Sequence, residues 1–449
     1  MMENKLHVGV ITSCSGRWPR ELPQKRLKIY GDWCRENLKE ADVHVFDRIV
    51  GSQEEFAQAV EYFRGCGTDL VIQVIGAFTG DDICCGLYEQ LRVPVILWAP
   101  EEDEWNRDER MYANGLCCAA MNGASLRRLQ APHYIVYGNF DDIKATDKIR
   151  RIVRAYTAVC ALRGTTFGLF GYRPTAFYNC ASDEVLLRKT FGIRLEETDL
   201  KVLFDQMKEI PEEEVSKEEQ HVMSLWDTSL MPPGHLENHC RLYLALKKLY
   251  PSLGYAYSTI KCWPEMGNAK TQPCAVLGRL ADEGIHITCE GDIDAGITAY
   301  LEHVLTEKVT FIADLINLLE EENTVTFWHC GNGAPSLHNQ EDGVVLADHP
   351  LAGQGSAFWC SLKSGAVTAA RFSNIDGQYR LFLLPGTAVP TKRNTRGCMV
   401  NVKTNTPVTT LVDHIEETGM SHHYALVWSD IAEDLRMIAK ILGIPVVEL

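Results

Sequence analysis

Glu290, Asp314, His329 and the pair His422-His423 are the residues of this 449-residue chain whose types could jointly hold a divalent metal ion. Each borders a strand-like apolar run. Glu290 closes the run 284–289 and is followed by Gly291 and Asp292; Asp314 closes 310–313, His329 closes 325–328, and the histidine pair leads into 425–428. Three consecutive strands of one sheet would then each end in a metal-competent side chain along a single edge. Successive strand residues point to opposite faces, so one histidine of the pair is expected at a shared centre. Two carboxylates with one or two imidazoles and open coordination positions suit Mn2+, Mg2+, Co2+ or Fe2+ better than structural zinc. No local metal motif such as HExxH accompanies them, and no CxxC pair offers a cysteine zinc site. Bland roles compete for each residue: Asp292 or Asp294 as a helix N-cap, Glu290 paired with a lysine, His329 hydrogen-bonded in a core.

Strands must position these groups, and the apolar pattern supplies them. Runs at 8–12, 43–46, 70–75, 93–98 and 134–137 alternate with amphipathic stretches such as 54–64 and 142–162. Short strands separated by helical spacers imply βαβ units and a parallel sheet covered on both faces. Residues 1–163 therefore read as one doubly wound α/β domain. A second α/β domain is expected over 164–344, with strand-like runs at 165–171, 254–262, 285–289, 309–312 and 324–329. Its acidic run, 212–219, reads as a solvated helix face or a linker. From 345 to 449 the runs become short and alternating (356–362, 367–373, 378–384, 398–402), with a turn signal at Ile375-Asp376-Gly377. That pattern predicts an antiparallel β-domain closed by a strand at 424–428 and a helix at 431–442. The expected fold class is two doubly wound α/β domains followed by a C-terminal antiparallel β-domain.

Neither GxGxxG nor GxxxxGK[ST] follows the first strand, which disfavours the usual nucleotide folds. Ser15-Gly16-Arg17-Trp18-Pro19-Arg20 follows it instead. Loops at strand C-termini of open α/β sheets are where ligands bind, so Arg17 is a candidate for an anionic or polyhydroxylated ligand. An ordinary surface loop is the alternative.

Composition narrows the partners. The chain carries 44 Lys and Arg against 60 Asp and Glu, a formal charge of −16, which argues against nucleic acid or an anionic membrane as principal partner. With 46% hydrophobic and 23% charged residues it is an ordinary globular mix. No apolar run reaches the ~18 residues of a membrane span. The opening MMENKLHVGVITSC lacks a signal peptide's apolar core, so a cytoplasmic location with reduced thiols is expected for the 16 cysteines.

The segment Cys289-Glu290-Gly291-Asp292-Ile293-Asp294-Ala295-Gly296-Ile297-Thr298, followed by Phe311-Ile312-Ala313-Asp314, resembles the metal centre of the L-fucose and L-arabinose isomerase family. Phe327-Trp328-His329-Cys330-Gly331-Asn332, His422-His423 and Ile260-Lys261-Cys262-Trp263-Pro264-Glu265 extend the resemblance over nearly the whole chain. Ala313 stands where arabinose isomerases have a glutamate, whereas His329 looks like their additional histidine ligand; the chain is similar to a divergent fucose isomerase-like protein.

The resemblance implies a sugar isomerase that interconverts an aldose and a ketose through a cis-enediol, with Glu290 and Asp314 as acid/base pair. It implies Glu290, Asp314 and His423 as metal ligands and His329 as a further ligand or orienter. The metal expected is Mn2+, with Mg2+ or Co2+ as alternatives. Lys261 and Trp263 are expected to face the sugar. Arg17 matches an arginine that contacts the sugar in fucose isomerases, and Phe78 an aromatic that caps the site. In the family these last two come from a neighbouring subunit, so a homo-oligomer, trimer or hexamer, is implied. Two other classes stay open at this point: a non-catalytic sugar-binding protein on the same scaffold, and a metal-dependent hydrolase.

Overall fold

The computed structural model describes residues 5–102 and 112–449. They form two compact units, divided between Ala161 and Leu162. In the first unit, strands β1 (Leu6–Ser13), β2 (Ala41–Val50), β3 (Leu70–Ile75), β4 (Val95–Ala99) and β5 (His133–Tyr137) build one sheet in the order β2-β1-β3-β4-β5. Every pairing in it is parallel, as the alternation of apolar runs and amphipathic helices predicts. All six residues of β3 and all five of β4 are buried, because helices cover both faces. The strand order reverses direction between β1 and β3, the position where open α/β sheets form a ligand crevice.

The second unit begins with a four-stranded parallel sheet. Its strands β6 (Thr166–Phe170), β7 (Arg194–Thr198), β8 (Tyr257–Ile260) and β9 (Ile287–Cys289) run in the order β7-β6-β8-β9. The acidic run lies in a helix, Glu212–Leu225, that buries only Val215 and Val222.

The chain then enters a larger sheet of β10 (Phe311–Leu319), β11 (Thr324–His329), β12 (Val345–Ala347), β13 (Ala357–Ser361), β14 (Gly365–Ile375), β15 (Gln378–Val389), β16 (Cys398–Thr404), β17 (His423–Val427) and β18 (Val446–Glu448). Within it β16, β11, β10, β17, β14 and β15 pair antiparallel in succession, and β15 pairs back to β16. Six strands thus close into an antiparallel barrel, and closure removes their free edges.

Two strands differ from expectation. The runs 310–313 and 325–328 were expected beside 285–289 in a parallel sheet. They are β10 and β11 of the barrel, paired antiparallel with each other across a short turn, a connection that parallel neighbours cannot use. Asp314 accordingly lies inside β10 rather than at a strand end.

The helix Ile293–Thr306 joins the two sheets: it follows β9 and packs on β14 and β17. The hydroxyl of its Thr298 accepts from the backbone N–H of Phe372 at 2.8 Å, which fixes the end of β9 against the barrel wall. No helix among the described residues is long and apolar enough to cross a membrane.

Candidate active site

Glu290 leaves β9 in a left-handed conformation, φ 64°, and Gly291 continues it at φ 63°. A Cβ at Gly291 would fall 2.1 Å from the carbonyl oxygen of Tyr172, so only glycine fits the turn. A non-glycine residue held in this region stores local strain of about 1–3 kcal/mol, which the surrounding packing must sustain. The turn is completed by Asp292, the N-cap of the helix Ile293–Thr306, whose Oδ1 accepts from Ala295 N–H at 3.1 Å.

Barrel closure delivers the other groups. Asp314 on β10 and His423 on β17 are direct partners in the antiparallel register, so their side chains share one face. Nε2 of His423 lies 3.4 Å from Oδ1 of Asp314 and 3.5 Å from Oε2 of Glu290. His329, the last residue of β11, packs its ring 5.6 Å from that of His423. Glu290 Oε2, His423 Nε2 and His329 Nε2 are buried, and among the described residues none has a hydrogen-bond partner. Leaving buried polar atoms unpaired costs roughly 1–3 kcal/mol each. Oxygen and nitrogen donors converging in this way match the chemistry of a divalent-cation site: Glu290, His329 and His423 form one group that could hold an ion, and Asp314, His422 and His423 another.

The alternation rule placed one histidine at the centre, and both are there. His422 precedes β17, so the pleat does not constrain it; its Nε2 is 3.9 Å from both Glu290 and Asp314. Its Nδ1 accepts from the Asn179 side-chain amide at 3.0 Å, so a neutral His422 ring carries its proton on Nε2.

Behind the site, Nδ1–H of His423 donates to Oδ2 of Asp292 at 2.9 Å, which turns the Nε2 lone pair toward the carboxylates. Arg371 holds Asp292 through Nη1 to Oδ2 at 2.8 Å and Nη2 to Oδ1 at 3.2 Å, with both side chains essentially inaccessible. Burial opposes the charge on Asp292, but Arg371 and the hydrogen bond from His423 outweigh it and hold the carboxyl well below the usual range. Burial likewise opposes the charge on His423, yet Asp292, Glu290 and Asp314 raise its pKa above the ordinary histidine value. Burial raises and the three histidines lower the pKa of Glu290, with a net decrease.

His329 is set differently. The backbone N–H of Cys330 donates to its Nδ1 at 2.9 Å. Burial depresses its pKa, so the ring is neutral with the proton on Nε2.

A cavity of about 520 Å³ opens over Glu290 and Asp314, walled by Phe177, Trp263, Trp328 and His349 among others. Trp263 is therefore at the cavity, 39% exposed rather than packed in a core. Lys261 does not line it; its ammonium is 2.6 Å from the Glu265 carboxylate. Arg17 and Phe78 line a separate cavity of about 430 Å³ in the first unit, with Ser15, Trp18, Gly80 and Asn114. That cavity sits where the loops leave β1 and β3.

Asp292 satisfies the N-cap reading, but its grip on His423 and Arg371 was not legible. An arginine inside the apolar run 367–373 is the one local sign that a buried acid must face it.

Residues 328–449 match the L-fucose isomerase C-terminal domain family. The matched segment carries His329, Arg371, His422 and His423. Over 421 residues the chain is 27% identical to a sulfoquinovose isomerase of Priestia megaterium, covering 92% of each chain. It is 27% identical to a sulfoquinovose isomerase of Alkalicoccus urumqiensis over 85% of this chain and 86% of that one. A Clostridium sp. protein of the same name is 28% identical, over 84% of this chain and 85% of its own.

Proposed function

We propose that the chain is a divergent fucose isomerase-like sugar isomerase that converts a free aldose to its ketose with a divalent metal, Mn2+ first among candidates; the match of residues 328–449 and the sulfoquinovose isomerase relatives support this reading. The convergence of Glu290, Asp314 and His423, with buried unpaired atoms facing one another, carries this reading. Sulfoquinovose is the first substrate to test, because relatives bearing that name align over most of the chain. A metal shared with a hydrolase would require a second product; a sugar-binding protein would not require two carboxylates and imidazoles at one point.

Glu290, Asp314 and His423 are the proposed ligands. When bound, a divalent ion supplies Lewis-acid stabilisation of the negative charge that develops on O1 and O2 of the enediolate. The chain's own residues do the rest. Glu290 and Asp314 form the acid/base pair that carries a proton between C1 and C2. Asp292 and Arg371 fix the His423 ring. His329, with its proton on Nε2, acts as an orienting donor toward the sugar oxygens. Phe177, Trp263 and Trp328 wall the cavity with apolar surface that excludes water. Arg17 and Phe78 are assigned as sugar contacts that a second copy supplies, within a trimer or hexamer.

The test is a ketose-formation assay with Mn2+, using sulfoquinovose, L-fucose and L-arabinose. Turnover of at least one aldose, lost in Glu290→Gln with folding intact, is the expected result. Absence of ketose from every aldose, or release of a second product, would overturn the reading.

A further inference from the structure

Three thiols that the isomerase reaction leaves unused cluster beside Glu290. Cys262 and Cys289 sit on the outgoing ends of two neighbouring parallel strands: Ile260 of β8 is the register partner of Cys289 of β9, and Cys262 follows two residues later. One sulfur from each and one carboxylate oxygen of Glu290 all lie within 4.8 Å of one another. Cys274, the first residue of the helix Cys274–Asp282, is a third buried thiol, 1% exposed, that interacts electrostatically with Cys289. The cluster is not sealed, because Cys262 and Glu290 both line the 520 Å³ cavity. Cys289 lies behind them, 1% exposed.

We propose that Cys262, Cys289 and Glu290 form a second metal site, selective for Zn2+ and similarly thiophilic divalent cations, that captures Glu290 and so inhibits the isomerase. Tetrahedral bonds of about 2.3 Å to sulfur and about 2.0–2.2 Å to oxygen hold their donors less than about 4 Å apart, inside the 4.8 Å limit of this group, and the cavity leaves a fourth position for water. Binding is not a redox step: two thiols and one carboxylate take up the cation, two sulfur–metal bonds and one oxygen–metal bond form, and two protons leave. Ligand softness separates the two sites that compete for Glu290. Oxygen and imidazole donors accept Mn2+ or Mg2+, whereas thiolates select Zn2+ and bind Mn2+ poorly. Zn2+ held there takes up an oxygen and the charge of the same carboxylate that the isomerase centre needs as ligand and as proton carrier.

The consequence for activity rests on the placement of Glu290 in the isomerase centre; the thiol site itself does not. Two measurements on the full chain, kept in a non-thiol reductant, separate the two. Co2+ titration reads the site directly, since only sulfur ligation produces the near-ultraviolet sulfur-to-cobalt charge-transfer band. The band is expected in the wild-type chain and lost in both Cys289→Ser and Cys262→Ser. Zn2+ titration of the Mn2+-supplemented enzyme is expected to inhibit, with the half-inhibitory concentration raised at least about tenfold in Cys289→Ser, the minimum cost of losing a partner of a bound metal. No band in the wild-type chain overturns the site. A band that survives in both variants does so too, since it would come from Cys360 and Cys398, whose sulfurs are 3.2 Å apart. Equal Zn2+ inhibition of wild type and variants overturns the link to inhibition. A band that the variants lose, without Zn2+ inhibition of the wild type, upholds the thiol site and removes Glu290 from the isomerase centre instead.

Discussion

Asp292 accepts the Nδ1 proton of His423 at 2.9 Å, and the two residues lie 131 positions apart in sequence. The same carboxylate caps a helix and receives two nitrogens of Arg371. One buried charge therefore fixes a helix start, a barrel strand and the tautomer of a proposed ligand. Asp292→Asn keeps the shape but removes the charge. Its expected effect is a loss of Mn2+ affinity of about 10–100-fold, measured by calorimetry, typical of a lost partner behind a metal ligand. Unchanged affinity would mean that the Asp292 contact only supports the fold.

Arg371 tests the structural half of the same contact. Arg371→Met leaves Asp292 as a buried, uncompensated anion beside His423. The expected loss of folding stability is about 3–5 kcal/mol, read from chemical denaturation. A loss under about 1 kcal/mol would show that water or His423 compensates the charge.

Glu290→Gln preserves volume while removing the charge and the proton-carrying oxygen. Turnover should fall by roughly 10²–10⁴-fold, as for loss of a positioned acid or base. Wild-type activity with an unchanged melting temperature would remove Glu290 from catalysis.

His329 distinguishes orienting from ligation. With Cys330 N–H held at Nδ1, Nε2 carries a proton and donates. His329→Phe removes that donor while keeping a ring, so turnover should drop while the Mn2+ dissociation constant rises by less than the ~10-fold expected even of an outer partner. A loss of metal affinity beyond the ~10–100-fold that removal of an outer partner gives would make His329 a ligand.

Asp294 sets a separate pH dependence. Burial pushes its carboxyl up to about 6, although Tyr379 O–H donates to one oxygen at 2.8 Å and Asn374 N–H to the other at 3.1 Å. The folded pKa exceeds the unfolded one, so the folded state is favoured while the group is protonated. That stabilisation is complete below the unfolded pKa of about 4 and disappears as pH rises through about 6. Its upper bound is about 3 kcal/mol, from roughly two units at 1.36 kcal/mol each. Asp294→Asn, with its amide donating to Tyr379, should flatten the denaturation midpoint between pH 4 and 6. Asp292 shifts the other way and loses its contribution only at lower pH, so the windows do not overlap. An unchanged slope in the variant would assign the dependence to another group.

Local pattern was enough for the first unit. Five apolar runs, spaced by amphipathic stretches, could satisfy their backbone groups and bury both faces only as a parallel, helix-covered sheet, and that sheet is present. The same local reading singled out Glu290, Asp314, His329 and the pair His422-His423 by residue type, and Asp292 or Asp294 as a cap; the choice of His423 came from the family resemblance. It did not assign β10 and β11 to the barrel, because a short apolar run looks the same whether its neighbour is parallel or antiparallel. Nor did it find that Asp314 faces His423, that both histidines reach the carboxylates, or that Arg371 meets Asp292. Those contacts depend on which strands pair across a hundred or more residues and in what register. Register follows from barrel closure and whole-core packing, to which no single stretch of sequence testifies.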